Sequence, residues 1–327
     1  GVINMNKLTK IGLSALAGSL VAVSAHAGSL SASGSASISF GDSDTDEKIG
    51  TTAEGNQWTM ADSITMTGGG DMDNGMSVSV SFEIDNDETD AGDVLDSHSI
   101  TLDTNGMGTL TFAGHGGGGF LDANDDKAPN AYEESWDGVA NADEETIPNG
   151  VTSDNMFTYV SEDFGGATVT IGYVPQGATG TPNGHYMDMA VKITPEAVEG
   201  LTLGFGMGET EETAGTTVDE QVLYAKYAFG SITVGAHLSE TDGPTSATDV
   251  EFDAFGITYA VSDEFSIGYN QSTSDLAGNT NDQEATGISA SFTSGGITVG
   301  GMMNTVDNVS NNTADTEGYE FNIAFAF

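Results

Sequence analysis

Gly318-Tyr319-Glu320-Phe321-Asn322-Ile323-Ala324-Phe325-Ala326-Phe327 is the stretch on which the fold turns. Tyr319, Phe321, Ile323, Phe325 and Phe327 are separated by single residues, so an extended chain puts all five on one face. The intervening Glu320, Asn322, Ala324 and Ala326 are polar or small. Upstream, Met76, Val78, Val80, Phe82 and Ile84 alternate in the same way with Ser77, Ser79, Ser81 and Glu83. Leu201, Leu203, Phe205 and Met207 do so with Thr202, Gly204 and Gly206. Sixteen such strands are predicted, at 29–40, 57–67, 75–85, 97–103, 108–114, 155–161, 166–174, 186–194, 200–208, 220–229, 231–239, 250–261, 264–273, 285–293, 296–305 and 318–327.

A period of two also fits a soluble β-sandwich, whose apolar faces pack against each other. Here the second face is built from Ser, Thr, Gly and Asn, with few apolar residues large enough to make a core. The connections also alternate in length. Short turns such as Thr104–Met107, Glu162–Gly165, Ser262–Asp263 and Thr293–Gly295 exchange with long acidic loops such as Gly41–Asn56, Asp85–Asp96, Pro175–His185 and Val306–Glu317. A barrel whose two rims face different compartments produces that alternation, and an even strand number suits its closure. The expected fold is all-β: a closed up-and-down antiparallel transmembrane β-barrel of about sixteen strands. Trp58, Tyr173, Tyr259, Tyr269 and Tyr319 are expected near its rims, where amphipathic rings meet the membrane interface.

The 327 residues carry 50 Asp+Glu against 6 Lys+Arg, a net charge of −44, and all six cations are lysines. Phosphate or nucleic-acid binding needs clustered cations, so no nucleic-acid partner is expected. The absence of cysteine excludes disulfides, thiolate metal sites and thiol catalysis. Residues 5–27, MNKLTKIGLSALAGSLVAVSAHA, combine a basic start, an apolar stretch and a small-x-small site at Ala25-His26-Ala27. That is the pattern of a cleaved secretory signal peptide. The expected division is 1–27 as upstream residues and signal peptide, and 28–327 as the barrel.

At the aromatic closing strand the sequence resembles the general porins of Gram-negative outer membranes. Asp62-Ser-Ile-Thr-Met-Thr-Gly68 with Asp71-Met-Asp-Asn-Gly-Met76 resembles that family's second strand, tight turn and third strand. Gly106-Met-Gly-Thr-Leu-Thr-Phe-Ala-Gly114 is similar to the turn and strand before the family's third loop. The resemblance implies an outer-membrane location, a homotrimer, contact with lipid and lipopolysaccharide, and a closing strand whose Phe325 and Phe327 are read by the barrel-assembly machinery. It also implies that the longest connection, 115–153, folds into the lumen and narrows it.

That loop carries Asp122, Asp125, Asp126, Glu133, Glu134, Asp137, Asp143, Glu144 and Glu145, with Lys127 as its one lysine. Porins typically set arginines on the wall opposite such acids. Here Ser63 stands where the second strand often has one, and Gly114-His115 lies near another such place, so the positive half is absent or reduced to His115. Strand parity turns Lys192 and Lys226 into the lumen, where each either stays available or pairs with a neighbouring acid. A hydrated lumen with an unopposed acidic loop concentrates cations. The expected function is a water-filled, cation-preferring channel for passive diffusion of small hydrophilic solutes and ions.

Asp62 lies on the lipid-face parity of its strand, which implies a rim position, a subunit contact or a bulge. The acidic runs 41–47 and 85–90 invite a calcium reading, but neither has the spacing of a calcium-binding helical-hairpin loop. Solvated outer loops with weak Ca2+ or Mg2+ binding, and no cofactor, are expected. His98, His115, His185 and His237 have no triad or metal-ligand spacing, and no nucleophile motif is present, so no enzyme is read here. The rival reading is an exported acidic β-rich surface protein, calcium-binding, structural or adhesive, without a membrane.

Overall fold

The computed structural model describes residues 29–43, 57–85, 95–136, 148, 150–175, 184–213 and 216–327. The signal-peptide segment and most of both acidic runs lie outside the described residues.

Alternating segments become β1 (Ser29–Ser43), β2 (Gln57–Asp71), β3 (Ser77–Asp85), β4 (Ser97–Asp103) and β5 (Thr109–His115). The two-residue pair β6 (Gly117–Gly118) and β7 (Thr152–Ser153) follows, at the two ends of the long loop. Then come β8 (Met156–Val160), β9 (Ala167–Val174), β10 (Tyr186–Ile193), β11 (Leu201–Thr213) and β12 (Thr216–Phe229). The set ends with β13 (Ile232–Asp242), β14 (Val250–Ala260), β15 (Phe265–Leu276), β16 (Gln283–Ser294), β17 (Ile297–Asp307) and β18 (Thr316–Ala326). All except β6 and β7 form one closed barrel of sixteen strands in up-and-down order. Closure joins the first strand to the last: Ser35 pairs with Ala326 and Phe40 with Phe321. Across that seam Asn322 Nδ2 donates to Ser39 Oγ at 2.7 Å.

The two faces divide as the parity requires. In β18, Tyr319, Phe321 and Phe325 are exposed on the outside, whereas Glu320 and Asn322 are buried inside. Each wall strand from β11 to β18 carries its apolar outward residues towards the short-turn end and its acids towards the long-loop end. In β13 the outward order from the turn is Ile232, Val234, Ala236, Leu238, Glu240 and Asp242. Asp62 takes the fifth outward place from the turn end of β2, as Glu209, Glu240 and Glu317 do on theirs. Its pairing with Ala36 is regular, so no bulge is involved, and its outward neighbours on β2 are the exposed Met60 and Ile64. Trp58, Tyr173 and Tyr319 edge the apolar band on the loop side and Tyr259 on the turn side, while Tyr269 is the last aromatic before Gln271.

One sequence expectation needs correction. Several inward positions are large and apolar, including Tyr186, Val222, Tyr224, Phe252 and Val306, all nearly inaccessible to solvent. They were hidden in the sequence because what covers them is not the opposite wall but the infolded loop. The β4–β5 ladder also slips: His98 pairs with His115 and Ser99 with Ala113, leaving Gly114 as the extra residue. The His98 ring occupies the space that a Gly114 side chain would need.

Candidate functional site

After β6, the chain crosses the lumen along the inner face of β10 to β18. Phe120 and Leu121 pack with Ala190, Val222 and Tyr224 in one buried cluster. Ala128 and Trp136 pack with Phe252, Ala254, Ala285, Val306 and Val309 in another. Trp136 meets Phe252 edge to face, with ring centroids 5.1 Å apart at 87°. These contacts exclude water from large surfaces, which is the dominant favourable term for holding a loop without regular structure.

Polar side chains of the wall then satisfy the loop backbone, which would otherwise be buried at a cost. Asp188 on β10 accepts from Leu121 N at 3.1 Å, Gly172 N at 2.7 Å and the Tyr186 hydroxyl at 3.0 Å. Glu220 on β12 accepts from Gly150 N at 3.3 Å. Ser289 on β16 accepts from Ala131 N at 3.0 Å, and Asn304 on β17 donates to Ser135 O at 2.8 Å. Asp188, Glu220, Ser289 and Asn304 are all buried. The parity of β10 placed Asp188 inward, but nothing in the sequence marked Glu220, Ser289 or Asn304 as partners of loop residues seventy or more positions upstream.

The structure sorts the sequence-derived site residues. Asp122 and Asp126 are half-buried. Asp126 forms an ion pair with Lys127 at 2.8 Å. Asp125, Glu133 and Glu134 are buried, so these carboxylates are withdrawn from solvent. Asp137, Asp143, Glu144 and Glu145 lie outside the described residues. His115 is held at the end of β5, its Nδ1 2.6 Å from Asp154 Oδ1. Ser63 faces inward and shares a hydrogen bond with Ser35, Oγ to Oγ 3.0 Å.

Lys192 shares inward parity with the buried Tyr186, Asp188 and Ala190, and is exposed within the lumen. Lys226 shares it with Glu220, Val222 and Tyr224, and is half-buried. Register brings the two close: Lys192 pairs with Gly204, and Thr202, two residues along β11, pairs with Lys226. Among the described residues neither lysine forms an ion pair, so the reading in which each pairs with a neighbouring acid finds no such partner there. No group of three metal-ligating side chains gathers among the described residues.

A closed antiparallel barrel, apolar outside and polar inside with a loop packed across its lumen, defines a membrane-spanning channel of the bacterial outer-membrane type. The family model of the Gram-negative porins matches residues 12–283, and the chain belongs to that family. Among curated proteins none matches this chain. Of solved structures, the anion-selective porin from Comamonas acidovorans is similar at 15% identity over 92% of this chain and 100% of that one, TM-score 0.65. OmpT of Vibrio cholerae is similar at 12% identity over 94% and 100%, TM-score 0.64. A double mutant of the Rh. blastica porin is similar at 17% identity over 91% and 100%, TM-score 0.67. At these identities the likeness is one of fold.

Proposed function

We propose that this outer-membrane porin forms a water-filled, cation-preferring channel for passive diffusion of small hydrophilic solutes and ions, with no chemical step. The observation that carries the reading is the lumen itself: a polar inner face with a loop held across it. The sign of the preference rests on charge. With 50 acids, no arginine and six lysines, the chain has little with which to attract anions. The Comamonas porin is anion-selective by description; the opposite preference is inferred here. Asp122 and Asp126, together with Asp137, Asp143, Glu144 and Glu145, are the loop acids assigned to the constriction; Asp125, Glu133 and Glu134 act from behind the loop surface. Ser63 and His115 leave the facing wall without the family's arginines.

The test is planar-bilayer recording of refolded protein under a tenfold salt gradient. Stepwise conductance with a cation-signed reversal potential supports the reading. An anion-signed potential removes the selectivity account, and silence from folded protein removes the pore. The rival acidic surface protein has no use for a closed barrel with an apolar exterior.

A homotrimer is part of the proposal, and strand length supports it. A membrane-crossing strand needs about 9–11 residues. β4 and β5 have seven each and β8 has five, whereas β11 has thirteen and β12 fourteen. The low wall of β4, β5 and β8 is apolar outside, with Phe112 and Phe157 in ring contact at 4.7 Å. Lipid alone covers so short a wall poorly, and neighbouring copies would cover it. Lipopolysaccharide around the taller wall, recognition of Phe325 and Phe327 by the assembly machinery, export through a cleaved signal peptide, and weak Ca2+ or Mg2+ binding by the acidic loops complete the proposal.

A further inference from the structure

The inner wall lacks side chains where the loop runs. Phe120 lies over Gly206 and Leu121 over Gly208 on β11, where an added Cβ would stand 2.7 Å from each side chain. Pro129 lies over two glycines that are register partners, Gly235 on β13 and Gly256 on β14. A Cβ on Gly235 would stand 2.8 Å from Pro129 Cδ, and one on Gly256 would collide with the Pro129 backbone. On β15 a Cβ at Gly268 would be 2.8 Å from Ala131 N; on β17 one at Gly300 would enter the Tyr132 ring. The inward neighbours of these glycines carry side chains: His237 on β13, Ala254 on β14, Asn270 on β15 and Met302 on β17. The wall is therefore recessed along a track that follows the loop.

We infer that these wall glycines are specificity-determining: by setting how deeply the loop is seated they set the largest solute that passes. The inference rests on the pore reading and adds the residues that fix the aperture. The three nearest atoms opposite Gly256 and the nearest one opposite Gly268 are backbone, which cannot rotate away as a side-chain tip can. A methyl group there lifts the loop towards the pore axis, because the barrel ladder behind it is hydrogen-bonded on both sides. The hydrogen bond from Ala131 N to Ser289 and that from Asn304 to Ser135 O keep the loop on the track at either side.

The experiment compares wild type with Gly256→Ala, Gly268→Ala, Gly300→Ala and the double variant Gly300→Ala with Tyr132→Ala. Folding is checked by heat-modifiable migration. Unit conductance in planar bilayers, and liposome swelling in sugars of graded size, read the aperture. The expected result is lower conductance and loss of the larger sugars in each folded single variant, with recovery in the double variant because the obstructing ring is gone. Should Gly256→Ala not fold, the Gly268 variant and the Gly300 rescue pair decide the matter. Folded single variants with wild-type conductance and an unchanged size limit overturn the inference while leaving the pore intact. Folded wild-type protein that passes neither ions nor sugars overturns the pore reading first.

Discussion

The Tyr132 hydroxyl donates to Glu320 Oε1 at 2.8 Å, tying the infolded loop to the closing strand of the barrel. Both residues are buried, and the carboxylate's other side-chain hydrogen-bond partner is Ser39. Tyr132→Phe removes this bond and keeps the ring over Gly300. We expect a loss of about 1–3 kcal/mol, the usual cost of leaving a buried polar group short of a partner. Urea-induced loss of heat-modifiable migration measures it, and an unchanged midpoint would show that the bond is replaced by water.

Trp136→Ala should have a larger and different effect. Its ring fills the space between Phe252 and the wall residues Ala254 and Ala285. Removing a buried indole costs about 3–5 kcal/mol where the surroundings cannot collapse, and rigid strands collapse little. That energy holds the loop, not the ladder. The expectation is noisy, fluctuating conductance from barrels that still migrate as folded, and quiet wild-type steps would contradict it.

Lys192→Gln and Lys226→Gln should each move the reversal potential further towards the cation limit. Both lysines face the lumen and neither has an ion-pair partner among the described residues, so each subtracts from the negative potential around it. Asp122→Asn and Asp126→Asn should move it the other way. All four shifts should shrink at molar salt, where the screening length falls to about 3 Å.

Stability should rise with ionic strength. On the outer wall, register places Glu209 against Asp219 and Asp219 against Asp242. It also places Glu240 against Glu251, Glu251 against Asp275, and Glu284 against Asp307. Like charges directly opposite oppose pairing, and salt weakens that opposition. Thermal unfolding in sodium chloride from 0.01 to about 1 M should show a climbing midpoint. Replacing Glu251, the centre of one such row, with Gln should flatten the climb.

The barrel was legible because strand parity is local: the residues flanking Phe321 already say which way Glu320 points. That Asp62 points outward follows from the same rule. The constriction was only half legible. The sequence gives the loop its acids, but whether Glu134 faces water or the wall depends on contacts between residues far apart in the chain. Ser289 and Asn304 look like ordinary polar lumen positions until the loop backbone lies against them. Gly256 and Gly300 look like members of a glycine-rich composition. The slip at Gly114 was invisible because His98, which takes up its space, lies on the preceding strand.

The Ser39–Asn322 hydrogen bond at the seam spans 283 positions of sequence. The first strand therefore waits for nearly the whole chain before it has its second neighbour, and until then it offers an open edge of the kind that aggregates. A barrel that closes through residues so far apart in sequence gains little from partial pairing, so closure is a single late event. An excess of carboxylates that works against pairing in the finished barrel also keeps an unclosed chain extended and apart from its copies, because like charges repel.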